Sequence, residues 1–146
     1  MKLSGVTVKV VSEIENSDNG QREVERSESR AEGFLHIYDS GEMLVTYAES
    51  TDGGRVDTEI SVKGKTVTVS RKGAIESKMV FAEGETNTSL YSIPPYRFDA
   101  EVTAQRVAAQ VLGDKARIEL NYTMRIGGAE RLAAMKIWIL PNSSLA

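Results

Sequence analysis

From Ala116 to Ile126 every second residue is apolar or aromatic: Ala116, Ile118, Leu120, Tyr122, Met124 and Ile126, with Arg117, Glu119, Asn121, Thr123 and Arg125 between them. A helix would scatter that set around its circumference, whereas a strand lays it on one face. The same alternation recurs along the chain. Val6, Val8 and Val10 form one face, as do Val56, Thr58, Ile60 and Val62. Val67 with Val69 repeats it, and so do Ile75, Ser77, Met79 and Phe81, and Met135, Ile137 and Ile139. Glycine-bearing turns separate these runs at Asp18-Asn19-Gly20, Asp39-Ser40-Gly41, Asp52-Gly53-Gly54, Lys63-Gly64, Lys72-Gly73, Gly113-Asp114 and Gly127-Gly128. The last pair suits the positive φ angles of a tight hairpin. The spacing predicts nine or ten strands in an all-β, antiparallel meander.

Two stretches leave the pattern open. Residues 21–30 are polar on both faces and fit either an edge strand or a helical turn. Residues 99–112 place Ala100, Ala104 and Ala108 with Val107 and Val111, which would also suit a helix; the surrounding meander favours a strand. Hairpins with one apolar face must hide that face, and closing the sheet hides it while removing both edges. A sandwich is the competing solution, but the short connections without a Greek-key crossover favour a barrel. One domain, residues 1–146, is expected from a chain of 146 residues.

Several chemistries are excluded early. The absence of cysteine rules out disulfides, thiol catalysis and cysteine-ligated zinc. His36 is the single histidine, and its place in Phe34-Leu35-His36-Ile37-Tyr38 reads as a strand position. Gly64-Lys65-Thr66 resembles the end of a phosphate-binding loop, but Glu59 stands where that motif needs its first glycine, and Val67-Thr68-Val69 continues as strand. Nucleophile-elbow, zincin, EF-hand and dinucleotide motifs are missing, so the chain is expected to be no enzyme, with no cofactor and no metal. The run from Glu13 to Glu32 interleaves carboxylates with arginines and reads as a solvated face. A net charge of −3 argues against nucleic acid as a partner. No apolar run approaches the eighteen or so residues of a membrane helix, and Met1 to Val10 holds no unbroken signal-type apolar core. A cytoplasmic location away from membranes is therefore expected. The oligomeric state is left open.

Four side chains stand out because their parity places polar groups among apolar ones. Arg71 continues the Val67 and Val69 face, and Tyr122 continues Ile118 and Leu120; Tyr47 and Tyr91 join them on weaker parity. An inward guanidinium needs partners, because desolvating its charge costs several kcal/mol. It can pair with a carboxylate at a rim, snorkel to solvent, or grip an anionic ligand.

Taken in order, Arg71-Lys72-Gly73, Met79-Val80-Phe81, Gly84, Tyr91, Pro94-Pro95-Tyr96, Thr103, Ile118-Glu119-Leu120-Asn121-Tyr122 and Gly127-Gly128 resemble the YwiB-like proteins. These are small bacterial proteins with a lipocalin-like β-barrel and no established activity. The resemblance spans about Val6 to Ile139 and implies a barrel of about eight to ten strands; it brings no catalytic residues to carry over. The chain departs from that pattern at Arg97, where the family usually has glycine, and near Ala134, where it tends to carry asparagine.

Two functions follow from these readings. One is a barrel that holds a small, partly apolar or anionic ligand, with Arg71, Tyr122, Tyr91 and Tyr47 at its polar end; the Val, Ile, Leu and Met lining would suit an acyl or aromatic group. The other is a solid barrel that meets a protein partner through its surface and the loop at 93–98, where Tyr91, Tyr96 and Phe98 surround Pro94-Pro95.

Overall fold

A computed structural model describes residues 2–18 and 21–142. The expected turn at Asn19-Gly20 lies outside the described residues. Among the described residues ten strands follow one another: β1 (Lys2–Asp18), β2 (Gln21–Ile37), β3 (Met43–Thr51), β4 (Gly54–Lys63) and β5 (Thr66–Gly73). After them come β6 (Glu76–Ala82), β7 (Thr86–Ile93), β8 (Tyr96–Leu112), β9 (Lys115–Ile126) and β10 (Ala129–Pro141). Each pairs antiparallel with its chain neighbours, and β10 returns to β1 to close the barrel. The expected all-β meander is thus a closed barrel of ten strands. Both doubtful stretches are strand: 21–30 lies in β2 and 99–112 in β8.

The alternating residues face inward as their parity requires. Val56, Thr58, Ile60 and Val62 are buried on β4 while Arg55, Asp57 and Glu59 are exposed. On β9, Ala116, Ile118, Leu120 and Tyr122 are buried opposite the exposed Arg117 and Asn121. Gly127 and Gly128 take φ angles of 57° and 85°, so both central residues of the last hairpin sit in the left-handed region that β-carbon-bearing residues avoid.

Closure rests on two long ladders. β1 pairs β10 from Val6↔Pro141 to Glu15↔Leu132, and pairs β2 along its whole length. Two places depart from an even wall. β2 pairs β3 only from Gly33↔Tyr47 to Ile37↔Met43, so the strands separate beyond Gly33. A Cβ on Gly33 would lie 2.2 Å from the Thr46 carbonyl oxygen and 2.9 Å from the Tyr47 Cβ, so only glycine permits so close a crossing. β6 and β7 share just two pairs, Glu76↔Ser92 and Ser77↔Tyr91. There the side chains complete the seam: the Ser89 hydroxyl donates to the Lys78 carbonyl, and the Asn87 amide donates to that of Val80.

Because the strands alternate in direction, the turns after β3, β5, β7 and β9 share one end of the barrel. The interior differs between the two ends. Toward the opposite end it is apolar, with Leu35, Val45, Val67, Phe81, Ile118 and Ile137 fully buried in one cluster. Toward the first end hydroxyls, phenols and Arg71 replace them.

Candidate functional site

The polar end is organised by strand register. One row of cross-strand neighbours runs Tyr47, Thr58, Arg71, Ser77, Tyr91 and Phe98, each paired with the next on the adjacent strand. Side chains so paired lie within about 4.5–5.5 Å at their Cβ atoms and meet on the inner face. Each strand supplies one residue, and the ladder assembles the first five into a polar belt that ends at Phe98.

Beside this belt lies a cleft of about 250 Å³, in the gap left where β2 peels away from β3. Tyr47, Thr58 and Arg71 line its inner wall; Ser12, Ser27 and Ser29 line the wall formed by β1 and β2; Glu28 and Glu49 also line it. Arg71 is half-buried, and among the described residues no carboxylate oxygen comes within 4.0 Å of its guanidinium. Next to it in the row, the buried Ser77 hydroxyl has no hydrogen-bond partner. A buried hydroxyl without a partner is uncommon and calls for a reason.

The phenols are kept neutral. Burial above all, and the Glu49 carboxylate next, push Tyr47 up to about 12, against the opposing pull of Arg71 and of a hydrogen bond with Thr58. Burial likewise raises Tyr122, with Arg71 pulling it down and Tyr91 adding a smaller upward push. Both therefore keep their protons at neutral pH and can donate hydrogen bonds. A cation flanked by O–H donors suits an acceptor or an anion.

Of the four residues expected to meet a ligand, the cleft wall holds Tyr47 and Arg71. Tyr122 is not in that wall: it borders a separate cleft of about 440 Å³ with Asn121, Leu132 and Ala133, is 4% exposed, and packs its ring on Phe81 with centroids 4.9 Å apart. Tyr91 stacks on Phe98 at 5.3 Å and stands in the belt without lining the cleft. Thr58, Ser77 and Glu49 belong to the site and were not singled out from the sequence. Their inward parity was legible for Thr58 and Ser77; what brings them beside Arg71 is register, which parity does not set. The apolar side chains expected to receive an acyl or aromatic group pack against one another instead. Among the described residues no cluster of three or more His, Asp or Glu side chains could hold a metal ion, and no helix is long and apolar enough to cross a membrane.

The barrel has a counterpart of known structure. The crystal structure of the ywiB protein from Bacillus subtilis superposes with a TM-score of 0.83 at 26% identity, covering 97% of this chain and 94% of that one. In sequence, the uncharacterized beta-barrel protein YwiB of Bacillus subtilis (strain 168) is 28% identical over 122 residues, which is 84% of this chain and 82% of the relative. The model of the family described as a domain of unknown function, DUF1934, matches residues 8–138. Across nearly its whole length, then, this chain belongs to the DUF1934 family of β-barrel proteins.

Proposed function

We propose that the barrel is a binding protein for a small anionic or zwitterionic molecule, seated at the polar end, and that it performs no catalysis. The observation that carries this is the half-buried Arg71 in the cleft wall, without a carboxylate within 4.0 Å among the described residues. An anionic group placed there meets the guanidinium together with the Tyr47 and Thr58 hydroxyls. Glu28 and Glu49, lining the same cleft, suit a positive or hydroxylated portion of the same molecule. The volume limits its size: about 250 Å³ is the liquid volume of roughly eight waters, below the usual range for drug-sized ligands.

Calorimetric titration with a panel of small carboxylates, amino acids and phosphates is the direct test. Arg71→Ala should weaken any member that binds by about tenfold to a hundredfold, the value of a charged hydrogen bond. Binding of a panel member that Arg71→Ala leaves unchanged would overturn the assignment, as would a panel with no binder at all.

A second reading has its own observation. Tyr96, the first residue of β8 after the Pro94-Pro95 turn, is 69% exposed, and Ile93 at the end of β7 is 41% exposed. An exposed aromatic beside a rigid turn suits a protein contact. Phe98 does not share that role, because its ring is committed to Tyr91. A partner captured by the parent protein and lost on Tyr96→Ala would support this reading; retention would remove it.

A further inference from the structure

β2 is longer than the wall it helps to build. It pairs with β1 from Lys2↔Ile37 to Asp18↔Gln21, yet only Gly33 to Ile37 pair with β3. Residues 22–32 therefore present an open strand edge; residues 22–28 are exposed on both faces, while Ser27, Glu28 and Ser29 also border the cleft beside Tyr47 and Arg71. An unpaired edge of this length is a template for another strand, and proteins usually blunt such edges with charge.

The charges here have a pattern that attracts its own copy. Gly33 and Leu35 are buried and Phe34 is exposed, so the even-numbered residues continue the outer face. On that face stand Arg22, Val24, Arg26, Glu28, Arg30 and Glu32. The midpoint of the open edge is Ser27. Laid antiparallel on a second copy about a two-fold axis at Ser27, the edge sets Arg22 against Glu32 and Arg26 against Glu28, each pair occurring twice. On the other face Glu25 meets Ser29, Glu23 meets Ala31 and Ser27 meets itself. No like charges are opposed. Moving the axis to Arg26 or Glu28 sets that residue against itself, and moving it to Glu25 opposes two carboxylates; an axis at Ser29 also avoids like charges but pairs only residues 26–32, so Ser27 is the charge-compatible axis that uses the whole open edge.

We propose that two copies of this chain join through residues 22–32 of β2, paired antiparallel about Ser27, so that one sheet continues into the other. Each interface is isologous and closes at two chains. The Arg26–Glu28 ion pair within one chain, 2.9 Å and exposed at both side chains, becomes half of a four-charge cluster on the axis.

Light scattering on the full chain tests this, and should return twice the 16.0 kDa mass of one chain. Arg26→Glu should halve that mass, since carboxylates then face carboxylates, and adding Glu28→Arg to it should restore the dimer. Circular dichroism of each variant separates loss of pairing from loss of fold. The chain lacks cysteine, so Ser27→Cys gives an independent reading: cross-strand Cα distances of about 4.5–5.5 Å fall within disulfide range, and oxidation should link two chains. Ser40→Cys, in the exposed turn between β2 and β3, should not. A monomer from micromolar to millimolar concentration overturns the proposal, as does a dimer indifferent to Arg26→Glu or equal linkage through Ser40→Cys.

Discussion

Tyr47 and Gly33 face each other across the point where β2 leaves β3, and each constrains the barrel differently. The Tyr47 phenol is raised from 10.0 to about 12, chiefly by burial. Below 10.0 both folded and unfolded chains hold the proton, so nothing changes there. Between 10.0 and about 12 the unfolded chain releases it first, and stability falls as pH rises through that window. Two units correspond to about 2–3 kcal/mol. Chemical denaturation across the window should show Tyr47→Phe losing less stability than the parent by roughly that amount; parallel losses would deny the shift. Gly33→Ala acts by volume. Its Cβ would meet a backbone oxygen at 2.2 Å, which cannot swing aside as a side-chain tip can. A cost of about 3 kcal/mol or more is expected, read as a lowered denaturation midpoint. Neither property is visible in the letters alone: a lone glycine inside Ala31-Glu32-Gly33-Phe34 and a tyrosine between Thr46 and Ala48 gain their meaning from the strand opposite.

At the scale of elements, β4, β5, β9 and β10 were legible because one face is dry and the other wet. β2 and β8 were not, and the structure supplies the reason. The first half of β2 projects past β3 and is wet on both sides, so it has no reason to alternate. β8 carries an irregularity between Ala104 and Arg106, which shifts its pairing with β9 from Ala104↔Tyr122 to Arg106↔Asn121. Such a bulge changes which parity pairs with the inward residues of β9, so Ala100 and Ala104 are followed by Val107 and Val111, at the i, i+4, i+7, i+11 spacing of a helix face. The β6–β7 seam is a third case. Its short ladder is completed by Ser89 and Asn87, polar residues that by pattern alone read as surface. Ser89 is 3% exposed, so Ser89→Ala leaves the Lys78 carbonyl short of a donor in a buried seam. A loss of about 1–2 kcal/mol is expected, with hydrogen exchange accelerating in β6 and β7 ahead of the other strands. Uniform acceleration would mean that the seam is held by something else.

The whole molecule divides its labour along the barrel axis. The apolar end buries a continuous cluster, and the polar end keeps a belt whose members only partly satisfy one another. Stability should therefore reside at one end, and the other should be replaceable at little cost. Ile118 is fully buried, and Ile118→Ala removes packing that the surrounding wall cannot close over; a loss of about 2–5 kcal/mol is expected. Arg71 is half-buried and gains no ion pair within 4.0 Å among the described residues, while its charge is partly desolvated. Arg71→Ala should change stability by less than about 1 kcal/mol in either direction. Urea midpoints of the two variants, measured together, decide whether the belt is scaffold or seat. If Arg71→Ala unfolds the barrel as readily as Ile118→Ala does, the guanidinium is holding the wall together and is not held ready for a ligand. If it leaves stability alone, the guanidinium has no part in holding the wall, as the proposed binding role requires.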